Sequence, residues 1–320
     1  MRSRKTQLIY SALAMAAMLA PISPAGAEDR ESTANVPVRM TVTASVVSDK
    51  RMPAIKQEDV LVKRGKERLR VTDWVPAQGK RAGLDLFFLI DDASDQRIGL
   101  QFDELRAFIN AQPPTTSIGV GYMRNTTVQI AQDFTTDHAA AAQALRLPFG
   151  SRGAFGSPYY SVIDLMNRWP ESQNRREVVM ITDGIDRMHR LVGVRRGLTA
   201  NPTVEAANTV AQRTGTMIHT LYFPGVGRLN RNYWEATNGQ LDMARLSDKT
   251  GGESFYLGLQ SPVSFQPYLN DLQKALDNQY LVSFSAKPEK KARLQYVALS
   301  TELAGVELST HDSVWVPAAK

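Results

Sequence analysis

The chain has 320 residues, 38 basic against 32 acidic side chains, and no cysteine. That length supports a sizeable core. The missing thiols exclude disulfides, thiolate metal sites and cysteine nucleophiles, and the near-even charge is not that of a nucleic-acid binder.

At the start, Arg2, Arg4 and Lys5 precede an apolar stretch from Leu8 to Ala20, and Ala25-Gly26-Ala27 offers small residues of the kind a signal peptidase reads. This predicts a signal peptide over residues 1–27 and a secreted or periplasmic protein. The apolar stretch is shorter than the roughly 20 residues a membrane span needs. Pro21 and Pro24 end any helix there. No later stretch reads as a span, so no integral membrane segment is expected in the mature chain. Without the three leader cations, 35 basic residues face 32 acidic ones.

From Val38 to Val46 apolar and polar residues alternate, as in a half-buried strand. Val60 to Val62 and Leu69 to Val71 read as two more strands around a turn at Lys63-Arg64-Gly65-Lys66, and Pro76 to Lys80 as a linker. Residues 28–80 thus form an N-terminal β segment. Leu84 to Ile90 is almost continuously apolar, which predicts a strand buried on both faces. A helix bearing Phe102, Leu105, Phe108 and Ile109 stops at Pro113-Pro114. Ile118 to Tyr122 and Val128 to Ile130 suggest a hairpin around Asn125. A helical face (Val162, Leu165, Met166, Trp169) precedes the buried strand Val178 to Ile181.

Asn201-Pro202 opens the next helix, with a capping side chain followed by proline. It leads into the strand Met217 to Phe223. A helix around Leu241 to Lys249 stops at Gly251-Gly252, before a short strand from Ser254 to Leu257. Ser261-Pro262 opens the last helix, with Phe265, Leu269, Leu272 and Leu276. Strands alternating with helices over residues 81–278 predict a Rossmann-like, doubly wound, mostly parallel α/β sheet. Residues 279–320 return to β character at Tyr280 to Phe284, Leu294 to Leu299 and Val306 to Leu308. These are expected to pair with the N-terminal strands as a flanking β unit.

In such a sheet, ligands bind beyond the carboxyl ends of the strands. Three of these ends carry oxygen donors: Asp91-Asp92-Ala93-Ser94-Asp95-Gln96, the helix entrance Gly156-Ser157-Pro158, and Thr182-Asp183-Gly184. Carboxylates and hydroxyls from separate loops suit a hard cation. They equally suit a structural role, with Asp92 and Asp183 capping helices.

The pattern resembles the von Willebrand factor type A family, in particular its exported bacterial VWFA-related branch. That family has an Asp-x-Ser-x-Ser loop, a Thr before a middle helix and an Asp-Gly after a later strand. The resemblance implies a metal-ion-dependent adhesion site for Mg2+ or Mn2+ with Asp92, Ser94, Ser157 and Asp183 as ligands, and with Gln96 standing where the second serine is usual. The alternative register, Asp91-x-Ala93-x-Asp95, keeps no hydroxyl and fits the family less well. The implied function is protein binding, with a carboxylate of the partner completing the metal shell.

Two longer loops carry Arg187, Arg190, Arg195 and Arg196, and Arg228, Arg231, Tyr233 and Trp234. Arginines beside aromatics are the residue types of an interface anchor. A metal-free scaffold binding through these loops, or a plain solvated face, fits the same residues. Catalysis is not expected. His138, His189, His219 and His311 lack metal-ligand spacing, no Gly-x-Ser-x-Gly elbow is present, and neither Gly150-Ser151-Arg152-Gly153 nor Gly225-Val226-Gly227 completes a phosphate or dinucleotide motif. A metal-assisted hydrolase is the remaining enzyme reading.

Overall fold

The computed structural model describes residues 35–46, 52–150, 156–188, 201–226, 233–256, 258 and 260–319. The expected signal peptide at residues 1–27 lies outside them, as do Arg190, Arg195, Arg196, Arg228 and Arg231. Among the described residues no helix is long and apolar enough to cross a membrane.

The central sheet has six strands: β5 (Leu84–Asp91), β6 (Thr116–Arg124), β7 (Thr127–Thr135), β8 (Arg175–Thr182), β9 (Thr216–Tyr222) and β10 (Ser254–Phe255). Their spatial order is β10-β9-β8-β5-β6-β7, parallel except for the β6–β7 hairpin. Numbered from β5, this is the 3-2-1-4-5-6 order of a doubly wound sheet, with its switch point between β5 and β8. All eight residues of β5 are buried, because helices cover both faces. Leu84, Leu86, Phe88 and Ile90 join one core, and Phe87 and Leu89 the other. That split follows from the two-residue period of a strand.

The first core is closed by α1 (Phe102–Asn110), the short α2 (His138–Gln143) and α6 (Gln266–Asp277). The second is closed by α3 (Pro158–Asn167), α4 (Pro202–Thr214) and α5 (Tyr233–Thr250). The expected hairpin turns at Asn125 and Thr126, both with positive φ, as a tight two-residue connection requires. Two boundaries differ from the sequence reading. α6 begins at Gln266 rather than at Ser261-Pro262, because the Glu104 carboxylate accepts the Phe265 and Gln266 N–H groups at 2.5 and 2.9 Å and fixes the start there. α5 begins at Tyr233, so Tyr233 and Trp234 belong to a helix and not to a loop.

The flanking β unit forms as expected. β1 (Val36–Val46) pairs antiparallel with both β11 (Gln279–Ala286) and β14 (Val306–Ser309), and β4 (Val71–Pro76) completes the order β14-β1-β11-β4. β2 (Val60–Arg64), β3 (Glu67–Leu69) and β13 (Ala298–Thr301) make a second small sheet, and β12 (Arg293–Tyr296) pairs with β15 (Ser313–Val316). The polar face of β1 is covered at its middle, while Arg39 and Ser45 stay exposed. Thr41 and Thr43 are covered along with Val38, Met40, Val42 and Ala44, because the polar face also meets protein: Gln279 Nε2 donates to Thr43 Oγ1 at 3.2 Å.

His311 sits at this junction, 2 % exposed. Burial pushes its imidazole down to about 4, against a backbone hydrogen bond to Thr216 and the charge of Glu177. The folded state therefore holds the neutral ring, and the stability it contributes is complete above pH 6.5 and lost as pH falls toward 4. Unfolding by urea is expected to give a free energy about 2 kcal/mol lower at pH 5 than at pH 7. His311→Gln should remove most of that slope; an unchanged slope in the variant would place the effect elsewhere.

Candidate functional site

The loops after β5 and β8 flank the switch point, and neighbouring segments hold them. Asp95 N–H donates to the Pro224 carbonyl at 3.0 Å, Val226 N–H to that of Ala93 at 2.8 Å and Gly150 N–H to that of Asp92 at 3.0 Å. Arg187 N–H donates to the Gly156 carbonyl at 3.2 Å, which ties the β8 loop to the entrance of α3.

Consecutive residues leaving a strand point to opposite faces, and this separates Asp91 from Asp92. Asp91 accepts the Ala93 N–H and the Thr182 hydroxyl, both at 2.8 Å. It shares its surroundings with Asp183. Burial raises the Asp91 carboxyl above its usual range and the charge of Asp183 raises it further, against the lowering effect of Arg187. Asp92 turns the other way. Arg146 Nη1 and Nη2 donate to its two oxygens at 2.7 and 3.1 Å, and the Phe149 N–H lies at 3.3 Å. The Arg146 guanidinium in turn stacks over Tyr122 and Phe149, at 3.7 and 4.3 Å from the ring centroids.

Asp183, 1 % exposed, accepts the Ile185 N–H at 2.9 Å. Both arms of Arg187 also reach it, Nη2 at 2.6 Å and Nη1 at 3.4 Å. Burial pulls the Arg187 guanidinium down, but Asp183, Asp91 and Asp186 outweigh that and hold it above its ordinary value. Ser157 caps α3 and donates to Asp186 Oδ2 at 2.9 Å. Thr203 at the head of α4 donates to the same oxygen. Gln96 Nε2 donates to the Pro148 carbonyl at 3.1 Å, and Ser94 is fully buried with its Oγ unpaired.

Of the five residues implied as ligands, the structure brings Ser157 and Asp183 to one side of the rim, while Asp92 and Gln96 face the loop around residues 146–150. The carboxylate beside Asp183 is Asp91, the register that the motif comparison ranked second. This donor set does not fit a divalent cation. Both oxygens of Asp92 and both of Asp183 are held by guanidinium groups, and among the described residues no three acidic or histidine side chains converge as ligands. The cavity bounded by Asp91, Ser157 and Arg187 is about 10 Å3, at the roughly 10–15 Å3 lower limit for a single water.

Arg187 is a correction to the sequence reading. Its side chain is 12 % exposed and bound to Asp183, so it belongs to the interior rather than to an exposed arginine-rich loop. Tyr233 and Trp234 are exposed, by 63 % and 72 %, and meet edge to face at 5.8 Å. Sequence reasoning missed Arg146 and the apolar residues of the same rim, Leu100, Leu147 and Phe149, which are 79 %, 50 % and 55 % exposed. Only Asp91 carried a readable signal, as a carboxylate at the end of a buried strand.

No protein-family model matches the chain, and neither does any curated protein. Among solved structures it is similar to an aerotolerance-related membrane protein from Bacteroides fragilis NCTC 9343 (10 % identity, 61 % of this chain and 99 % of that one, TM-score 0.42). It is also similar to the conserved hypothetical protein BatB from Bacteroides thetaiotaomicron (11 %, 60 % and 97 %, TM-score 0.43). A third is the SpRpn10 VWA domain (11 %, 59 % and 94 %, TM-score 0.37). The strand order and the switch point make this a doubly wound, Rossmann-like α/β sheet with an antiparallel edge hairpin, as expected from the sequence.

Two substitutions check the site. Arg187→Met leaves buried carboxylates without their cation and is expected to cost about 3–5 kcal/mol in urea unfolding; a loss under 1 kcal/mol would mean that the pair contributes little. Gly239, in α5, packs against the loop so closely that a Cβ would overlap the Asp183 carbonyl. Alanine gains about 1 kcal/mol of helix propensity, but overlap with rigid backbone costs about 1–3 kcal/mol. Gly239→Ala should therefore lower the unfolding free energy, and a stabilised variant would contradict the contact.

Proposed function

We propose that this chain is an exported, non-catalytic protein-binding module that works without a metal ion and engages its partner at the exposed rim around Phe149 and Trp234. The observation that carries the reading is the pairing of Asp183 with Arg187 and of Asp92 with Arg146. Internal guanidinium groups supply the positive charge that an adhesion-site cation would otherwise bring. With the carboxylates neutralised, recognition falls to the side chains left in solvent. Leu100, Phe149, Tyr233 and Trp234 offer large apolar anchors, and Arg124, whose guanidinium lies 5.0 Å from the Phe149 ring centroid, adds a cation at the same place. Aromatic and arginine anchors dominate interface energetics. Export is supported by the basic, apolar and small-residue segments of residues 1–27.

Capture of partners from the exported fraction, in EDTA and in millimolar Mg2+ or Mn2+, tests the reading. Recovery should be equal in all three, and Trp234→Ala or Phe149→Ala should weaken it by about 30-fold, as expected for a hot spot worth about 2 kcal/mol. The melting temperature should not respond to either metal, whereas an ion at 100 times its Kd would add about 2.7 kcal/mol. Capture that EDTA abolishes and magnesium restores would overturn metal independence. Ester or phosphoester turnover lost in Asp183→Ala would favour a hydrolase. The mature protein should begin at Glu28.

A further inference from the structure

We propose that the chain binds a phosphate-class anion in a basic pocket at the amino-terminal end of the parallel strands. The pocket lies where β5 and β8 begin, at the opposite strand ends from the Asp183 rim. Its volume is about 360 Å3, inside the roughly 300–1,000 Å3 of small-ligand sites. Four cations line it, Arg39, Lys80, Arg81 and Arg175, against one carboxylate, Asp73. The fold brings them together from far apart in sequence. Antiparallel register sets Arg39 of β1 opposite Ser283 of β11, and Ser283 opposite Asp73 of β4. Lys80 and Arg81 end the turn that leads into β5, and Arg175 opens β8. Asp73 offsets only one of the four, with its Oδ2 3.7 Å from Arg81 Nη1.

Arg175 is the second, independent observation. Its side chain is 6 % exposed. Nη2 donates to the Ala82 carbonyl at 3.0 Å and Nη1 to Gln279 Oε1, while the nearest oxygen of Glu177 lies at 3.9 Å. Its Nε–H is buried and has no acceptor. Leaving a donor unpaired on a buried charged group is costly, and Arg175 lines the pocket in which an oxyanion would sit. Burial holds this guanidinium below its ordinary value despite Glu177 and Asp277, as expected of a cation whose counter-charge is incomplete. Clustered guanidinium groups with an ammonium suit a tetrahedral oxyanion of more than one charge.

Calorimetric titration with inorganic phosphate, glucose 6-phosphate and uncharged glucose tests the site, and co-flotation with phosphatidic acid vesicles separates a lipid headgroup from a soluble ester. Saturable binding of either phosphate source is expected, with none for glucose. Affinity should fall about tenfold or more in Arg81→Glu and in Arg39→Glu. Both side chains are exposed, so the melting temperatures should stay unchanged. The Arg175 Nε–H resonance should shift on ligand addition. Failure of all phosphate-bearing ligands to bind, equal binding of glucose, binding untouched by both charge reversals, or a static Arg175 resonance would overturn the assignment.

Discussion

Burying carboxylates at the carboxyl ends of β5 and β8 is the constraint around which the rim is built. Asp91, Asp92 and Asp183 are each at most 7 % exposed, and unpaired charges so placed would cost several kcal/mol apiece. The chain meets that cost with fixed partners. Arg187 serves Asp183 and, through space, Asp91, while Arg146 serves Asp92. Each guanidinium then fixes its own loop, so one set of pairings sets both the electrostatics and the shape of the rim. A site neutralised in this way is closed, with its carboxylates bound inside the chain.

Most of the sheet was readable because its signals are local. The both-face apolar run of β5, the two-residue turn at Asn125 and Thr126, and the Asn201-Pro202 and Gly251-Gly252 helix punctuation each express a physical rule within a few residues. α2 was not readable, because His138-Ala-Ala-Ala-Ala-Gln143 has no apolar period; Asp137, accepting the Ala140 N–H, starts it instead. The site was half legible. The family resemblance pointed to the loops but favoured Asp92, whereas the carboxylate beside Asp183 is Asp91, and adjacent residues on a strand face opposite ways. The Arg146–Asp92 pair spans 54 positions, and nothing local marks two such residues as partners.

The flanking sheets show how far a polar pattern can mislead. Alternation in β1 suggested one wet face, yet Thr41 and Thr43 are covered, Thr43 lying against Gln279 of β11 and Met217 of β9. A buried polar network runs through this seam. Glu177 accepts from His219 Nε2 at 2.9 Å, His219 Nδ1 accepts the Glu253 N–H at 3.0 Å, and Gln279 links Arg175 to Thr43. Each member has a specific neighbour, so the seam fixes geometry where an apolar contact would allow sliding.

The placement of β1 bears on how the chain acquires its shape. The first strand among the described residues finds both of its neighbours, β11 and β14, more than 230 residues later. Made from its amino end, the chain cannot complete that sheet until nearly all of it is present, since contacts of such separation form late and slowly. The topology thereby leaves the closing of this sheet to the end of the chain, with the last strands acting as the clasp.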